Sequence, residues 1–395
     1  MPTVCRVQSH GIIRIGAANQ PVIRDGRNMG NSGLQNASKA KRDEFYTSYV
    51  AVRREMMRHS GAFSGKSVYC NCDNPHTSNF FRFFVRNFTV LGLKRLTTTS
   101  CVNPAYPPGP ANSACMSVVE YVNKGMISDD GIIDMDRLFS HPRNSLQPLS
   151  GDGDFRSSEC VAALDGCDIV ATNPPFSLFR EFVDLLKSHG KDFIIIGDIN
   201  AVSYRNVFPD LMRGDMWLDP SIRNEDLRFF VPDDYPLRAS ACGVDDMGRR
   251  FIRVGGVRWF TSLDVSTLTS PLPLKKSFAD MPYPRYDNYD AINVNHVRDI
   301  PCDYPGIIGV PVTFMDKYCP SQFEILGISK TWFAPAAKSY GKGSGIPDGS
   351  PVIRVSEPPS GRTCYRLDGK YYVCTYVRIF IRNRTLAAGE SLSAR

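Results

Sequence analysis

The stretch Asp168-Ile-Val-Ala-Thr-Asn-Pro-Pro-Phe176 limits the folds open to this chain more than any other. Its short apolar run reads as a buried strand, which passes directly into a proline-stiffened turn ending on an aromatic ring. Beyond the turn, Ser177 is placed to cap a helix. Leu178, Phe179, Phe182, Val183, Leu185 and Leu186 recur on one face of it, and Gly190 falls where it would stop. Phe193-Ile-Ile-Ile-Gly197 then reads as a second strand, continuously apolar as parallel strands covered on both faces are. The turn therefore lies at the carboxyl end of a strand in a β-α-β unit, where open α/β sheets hold their ligands.

The residues of the turn suit an amino group. Asn173 offers a side-chain carbonyl, and Pro175 has no N–H to compete for the carbonyl of Pro174. Two acceptors held side by side can take both hydrogens of an exocyclic amine, and Phe176 offers a face on which a flipped-out base can stack. A proline-rich turn that merely starts a helix would use the same residues, so the tetrapeptide alone leaves both readings open.

With 395 residues the chain has room for a substantial core and, on length, about two domains. No apolar run approaches the roughly 20 residues of a membrane span. The first residues do not build a secretory signal, and among twelve cysteines no Cys-x-x-Cys pair occurs. A reduced, cytoplasmic protein without structural metal is expected. Residues 1–60 hold ten Lys or Arg against four acids, a net of +6 within a total of +7. That charge suits phosphate contacts or a solvated tail equally well.

Taken in order, residues 1–40 read as a loose basic extension, and a helix is expected to run to Arg58. Ser67 to Asp73 is the first clear strand, followed by a phenylalanine-rich helix over Asn79–Phe88, most of whose rings (Phe80, Phe81, Phe83, Phe84, Phe88) read as core. Further strands are expected over Leu91–Cys101 and near Met116–Val122, with a proline-rich loop at 102–113 between them. Gly151-Asp-Gly-Asp-Phe155 precedes a helical stretch at Ser157–Leu164. Asp154 and Phe155 could there hold a cofactor amino group and cover its ring, or simply form a tight turn. Residues 205–260 carry nine Arg, no Lys and nine acids, and arginine is well shaped for guanine edges and phosphates, though surface ion pairs would use it too. Residues 270–305 read as long ordered loops, and 306–333 and 363–383 as strand-rich. The pattern implies a doubly wound α/β sheet.

Several of these segments, in this order, resemble the EcoRI-type family of adenine-specific DNA methyltransferases. They are Asp43-Glu-Phe-Tyr-Thr47, Val68-Tyr-Cys-Asn-Cys-Asp73 with Ser78-Asn-Phe80, Gly151-Asp-Gly-Asp-Phe-Arg156, and Thr172-Asn-Pro-Pro-Phe-Ser-Leu-Phe-Arg180. Val257-Arg-Trp-Phe-Thr-Ser-Leu263, Tyr286-Asp-Asn-Tyr-Asp-Ala-Ile292 and Val310-Pro-Val-Thr-Phe-Met-Asp-Lys-Tyr318 continue the resemblance, which covers roughly residues 40–383. It implies a Rossmann-like, S-adenosylmethionine-dependent methyltransferase sheet at 41–204 and a mixed α/β target-recognition region at 205–395.

By the same resemblance, Phe45, Tyr46 and Thr47 would belong to the cofactor-binding segment, and Asn71, Cys72 and Asp73 would lie by the methionine part of the cofactor. Asp154 and Phe155 would face its adenine, and Asn173, Pro174, Pro175 and Phe176 would hold the target base. The first strand lacks the glycine-rich loop common among methyltransferases, and the second, ending Thr99-Ser100-Cys101, lacks the acid that usually grips the ribose. The implied partners are double-stranded DNA and a restriction endonuclease acting on the same site. Methyl transfer to RNA or to protein glutamine, or a silent DNA-binding relative, remain the alternatives. A dehydrogenase is disfavoured because no Gly-x-Gly-x-x-Gly follows a strand.

Overall fold

The computed structural model describes residues 46–102, 109–219, 227–230, 242–245, 248, 250–265, 269–384 and 386. The basic extension, Phe45, half of the proline-rich loop (103–108) and several of the arginines between 205 and 260 lie outside the described residues.

A two-residue strand, Tyr46–Thr47, leads into helix α1 (Tyr49–Arg58), whose first turn is capped by the Ser48 hydroxyl accepting from Ala51 N. Strand β1 (Ser67–Asn71) is followed by α2 (Asn79–Arg86), capped by Ser78 accepting from Phe80 N and Phe81 N. The phenylalanines of α2 are buried, as core rings should be. Next come β2 (Arg95–Ser100), β3 (Cys115–Val119), α3 (Met135–Ser140), β4 (Ser145–Pro148) and α4 (Ser158–Asp165), the last capped by Ser157.

The unit expected around residue 173 follows: β5 (Ile169–Thr172), a 3-10 turn at Phe176–Leu178, α5 (Phe179–Ser188) and β6 (Asp192–Asp198). Ser177 does not cap the helix. It lies inside the 3-10 turn, and α5 begins two residues later with no side-chain cap, because the tight turn carries the chain from Pro175 into the helix. The helix does stop at Gly190. With φ at +59° it lets Gly190 N bond Lys187 O and Lys191 N bond Leu186 O, closing the last turn. Helix α6 (Phe208–Arg213) and strands β7 (Trp217–Leu218) and β8 (Val257–Thr261) complete the layer.

The eight strands form one sheet in the order β4-β3-β2-β1-β5-β6-β8-β7. Its middle four, β2-β1-β5-β6, are parallel, and each flank is antiparallel. Alternate residues of the central strands enter two cores. Val68, Cys70, Ile169, Ala171, Ile194 and Ile196 pack with α1 and α2 on one face, whereas Tyr69, Val170, Phe193 and Ile195 pack with α4 and α5 on the other. Burial on both faces is why these strands read as unbroken apolar runs.

The sheet does not end at residue 204, where the sequence suggested a boundary: β7 and β8 come from beyond it. Tyr46–Thr47 likewise pairs with Leu227–Phe230, Tyr46 opposite Phe230, in a separate small sheet with Arg250–Val254 and Cys242–Val244. A second four-stranded sheet, drawn from Ile292–Asn293, Ile308–Pro311, Phe323–Ile328 and Arg378–Asn383, adds Ile308, Val310, Ile325, Ile379 and Ile381 to the core beside α5.

The end of α1 is fastened to the far edge of the sheet. His59 Nε2 lies 2.8 Å from Asp219 Oδ2 and 3.6 Å from Glu55 Oε1, while Asp219 N donates to Trp259 O. Burial pulls the imidazole pKa down, but hydrogen bonds to Asp219 and Glu55 outweigh it and raise the value from 6.5 to about 9. A folded-state pKa above the unfolded one stabilises fully below pH 6.5, and the gain disappears as pH rises through about 9. Urea unfolding at pH 6.5 and pH 9.5 is expected to show a larger stability loss for the wild-type protein than for His59→Gln. Parallel losses in the two would refute the charged latch.

Candidate active site

The carboxyl ends of the parallel strands gather the residues singled out above, and hydrogen bonds join them into one rim. After β1 the chain turns sharply at Cys72, whose φ of +87° is a left-handed conformation that a non-glycine residue adopts only under constraint. The constraint is visible: Cys72 N and Asp73 N both donate to Thr99 O at the end of β2, at 2.9 and 2.8 Å.

Asp73 then reaches across to β5. Thr172 Oγ1 lies 2.6 Å from Asp73 Oδ2 and 2.6 Å from Asn71 O, and Ser78 Oγ donates to Asp73 Oδ1 at 2.5 Å. Burial raises the Asp73 pKa from 3.8 to about 6, against the opposing pull of the Ser78 and Thr172 hydrogen bonds. The Ser78 and Thr172 hydroxyls are the two side-chain contacts that hold this buried carboxyl. Asp73, expected beside the methionine part of the cofactor, spends both oxygens inside the protein and braces the loop after β1 against the residue that precedes Asn173.

Asn71 behaves differently. It is 1% exposed, and neither its carboxamide nitrogen nor its oxygen has a hydrogen-bond partner. Thr47 Oγ1 is buried without a partner as well, although the Thr47 carbonyl accepts from Asn79 Nδ2 at 2.7 Å, which holds it beside the start of α2. Buried polar groups left unsatisfied cost about 1–3 kcal/mol each, so such atoms point to a ligand. An amino-acid moiety brings both an ammonium donor and a carboxylate acceptor, which is the pair an unsatisfied carboxamide requires. The residues fit the methionine end of S-adenosylmethionine.

The Gly151–Phe155 loop closes the rim on another side. Gly153 has φ +82°, and a Cβ there would collide with the Ser100 carbonyl, so only glycine lets the loop lie on the end of β2. Val102 N donates to Asp152 O at 3.1 Å, bringing Asp152 to the strand end that lacks the usual ribose-gripping acid. Asp154 is held by Arg156 at 2.7 and 2.9 Å, and this hydrogen bonding keeps its carboxyl below the usual range. Phe155 is 4% exposed and lies edge-on to Phe182, 5.1 Å between ring centroids, with the Arg156 guanidinium over its ring.

At the head of α5, Pro174 is buried and Pro175 half-buried, while Asn173 Oδ1 is sequestered from solvent. Phe176 is half-buried against the core that contains Trp259. The structure thus brings Thr47, Asn71, Cys72, Asp73, Asp154, Phe155 and Asn173–Phe176 to the same end of the sheet; nothing is described of Phe45, or of the Tyr46 side chain. Sequence reasoning missed Thr172 and Gly153. Thr172 carried no signal beyond its place next to Asn173.

Removing the Thr172 hydroxyl should unfasten this brace. Thr172→Val is expected to destabilise the fold by about 1–3 kcal/mol in urea unfolding, since it leaves a buried carboxyl short of a donor, and to lower kcat more than substrate affinity. Thr172→Ser should restore both. A valine variant with wild-type kcat would show that the contact is only structural.

A Rossmann-like sheet that presents an Asn-Pro-Pro-Phe turn beside a loop with unsatisfied polar groups defines the class: a methyltransferase acting on an amino nitrogen. The comparisons take this further. The chain belongs to the EcoRI family of adenine-specific methyltransferases, whose model, "Adenine-specific methyltransferase EcoRI", matches residues 33–384. It is 40% identical over 311 residues to the Type II methyltransferase M.EcoRI of Escherichia coli, a match covering 77% of this chain and 91% of that one. To M.MpnI of Mycoplasma pneumoniae it is 36% identical, covering 73% and 83%, and to M.MgeORF184P of Mycoplasma genitalium 33%, covering 73% and 84%. Both are also named Type II methyltransferases. No solved structure matches the chain significantly. The protein is accordingly a site-specific DNA methyltransferase that modifies adenine.

Proposed function

We infer that this enzyme moves a methyl group from S-adenosylmethionine to adenine N6 in double-stranded DNA, with the base turned out of the helix into the pocket at Asn173–Phe176. The observation that carries this reading is the Thr172–Asp73 brace, which sets the loop bearing the unsatisfied Asn71 carboxamide against the strand end bearing Asn173. Asn71 and Thr47 would hold the amino-acid end of the cofactor, with Cys72 shaping the loop around it. Asp154 and Phe155 would border its adenine. S-adenosylmethionine supplies a methyl already activated on a sulfonium, so the protein must position rather than provide a strong base.

Phe176 stacks on the target adenine. Asn173 Oδ1 and the Pro174 carbonyl accept its two N6 hydrogens, which draws the nitrogen towards tetrahedral geometry and aims its lone pair along the line of attack. Pro175, having no N–H, leaves the Pro174 carbonyl to this task, and the proton departs to water. Residues beyond β8 would supply target recognition, and residues 1–40 would add phosphate contacts. No described helix is long and apolar enough to cross a membrane, and we assign the enzyme to the cytoplasm alongside an endonuclease of the same specificity.

The test is transfer of labelled methyl from S-adenosylmethionine to unmethylated genomic DNA, RNA and protein in parallel. Label recovered as N6-methyladenine in DNA is expected. Label confined to RNA or protein would refute the substrate assignment while leaving the pocket chemistry intact.

A further inference from the structure

Charge is distributed along this chain in an uneven way. Residues 61–337 hold twenty-seven Lys or Arg against thirty-two acids, whereas residues 338–384 hold nine against three. Part of this second basic block forms a three-stranded antiparallel sheet, Val352–Val355, Lys370–Cys374 and Cys364–Leu367, with Lys370–Cys374 in the middle.

The last two strands are a hairpin closed by Asp368 and Gly369. Both residues have positive φ, +48° and +74°, and Leu367 pairs directly with Lys370, so the turn is the two-residue kind that matches strand twist. Arg366 and Lys370 are exposed beside this tip and Arg362 is exposed at the opposite end of the hairpin, and among the described residues none of them lies within salt-bridge distance of a carboxylate. By contrast, Lys338 and Arg378 of the same block are engaged, by Asp287 and by Asn293 and Asn295. The guanidinium of Arg366 lies 5.8 Å from the Tyr371 ring centre, which limits its freedom.

The other end of the hairpin meets the catalytic layer. Thr375 and Tyr376 line a cleft of about 970 Å³ together with Arg180, Tyr204, Arg205 and Lys330. Arg180 is four residues past Phe176 on α5, and its guanidinium stacks on Tyr204 at 4.0 Å. From Thr375 to Lys370 the strand covers roughly 17 Å at the usual rise per residue, about five base-pair steps of duplex.

We propose that the hairpin Cys364–Cys374 enters the major groove beside the target adenine and that Arg366, Lys370 and Arg362 read base edges there. Past Tyr371, where the third strand ends at Val355, the Leu367–Lys370 turn projects as a two-stranded ribbon, which the major groove admits, and Arg or Lys donors match the paired acceptors of guanine. Unpaired cations spaced along an exposed hairpin, beside a central region (61–337) in which acids outnumber Lys and Arg, are complementary to nucleic acid in a way that dispersed solubilising charge is not. The assignment rests on the reading of duplex DNA as substrate.

The test lets wild type, Arg362→Ala, Arg366→Ala and Lys370→Ala modify unmethylated genomic DNA and maps the methylated adenines by sequencing. All three side chains are exposed, so folding should survive, and S-adenosylmethionine binding serves as the check. At least one variant should lose discrimination at one or two base pairs of the site by about tenfold to a hundredfold. Identical site preferences in all four proteins would overturn the proposal. So would a uniform loss of affinity with a shallower salt dependence, which marks phosphate contact alone. A wild-type protein that modifies no DNA would instead fault the substrate assignment, and the hairpin proposal with it.

Discussion

Asn173→Ala is expected to slow methyl transfer by about a hundredfold to a thousandfold, the usual loss when a preorganised hydrogen-bonding group at the reacting centre is removed. Binding of S-adenosylmethionine and of DNA should change little, because the acceptor matters most when N6 is leaving planarity. The setting supports a large effect. Asn173 follows directly on Thr172, which is hydrogen-bonded to both Asn71 O and Asp73, and it precedes two prolines that restrict the backbone. The carboxamide cannot be replaced by a neighbour from so constrained a turn. Single-turnover rates with saturating DNA and cofactor measure the effect; turnover within threefold of wild type would remove Asn173 from the mechanism.

Arg258→Met should cost about 3–5 kcal/mol of stability, as breaking one partner out of a buried ion pair usually does. Arg258 sits in β8, and its Nε and Nη2 reach Asp316 Oδ1 and Oδ2 at 2.6 and 2.7 Å, with side chains only 8% and 6% exposed. Its third nitrogen donates to Val257 O at 2.8 Å. Asp316 belongs to the 3-10 segment Val312–Lys317, so this fork ties the catalytic sheet to the C-terminal region. Replacing arginine alone leaves a carboxylate with no other cation bonded to it among the described residues. A second change, Asp316→Leu, should recover much of the loss. Urea denaturation of the single and double variants measures both, and a single variant as stable as wild type would show that the carboxylate finds another partner.

The local grammar of the catalytic unit was open to reading in advance. Ile169–Thr172, the proline turn, the face of α5 and the stop at Gly190 all depend on residues within a few positions of one another. The position of the helix start was not: a 3-10 turn intervened where Ser177 looked like a cap, since capping and tight-turn residues overlap in type. The reach of the catalytic sheet beyond residue 204 was not legible for a different reason. Val257–Thr261 looked like a strand, yet nothing near it says which edge it will join, and it pairs with Asp192–Asp198 across some sixty residues. Strands read as apolar runs; their neighbours do not.

Neighbouring residues alone point to a parallel α/β sheet, to Asn173–Phe176 at a strand's carboxyl end, and to chemistry there that suits an amino group. Periodicity, proline and capping act over one or two turns of chain, so their signals are local. Distant packing alone shows that Asp73 braces the loop after β1, that Thr172 holds it from 99 positions away, and that Asn71 is left with an unsatisfied carboxamide. Whether a buried polar group is spent on the protein or kept for a ligand depends on which distant donors the fold delivers to it. That is settled by packing, not by neighbours in sequence.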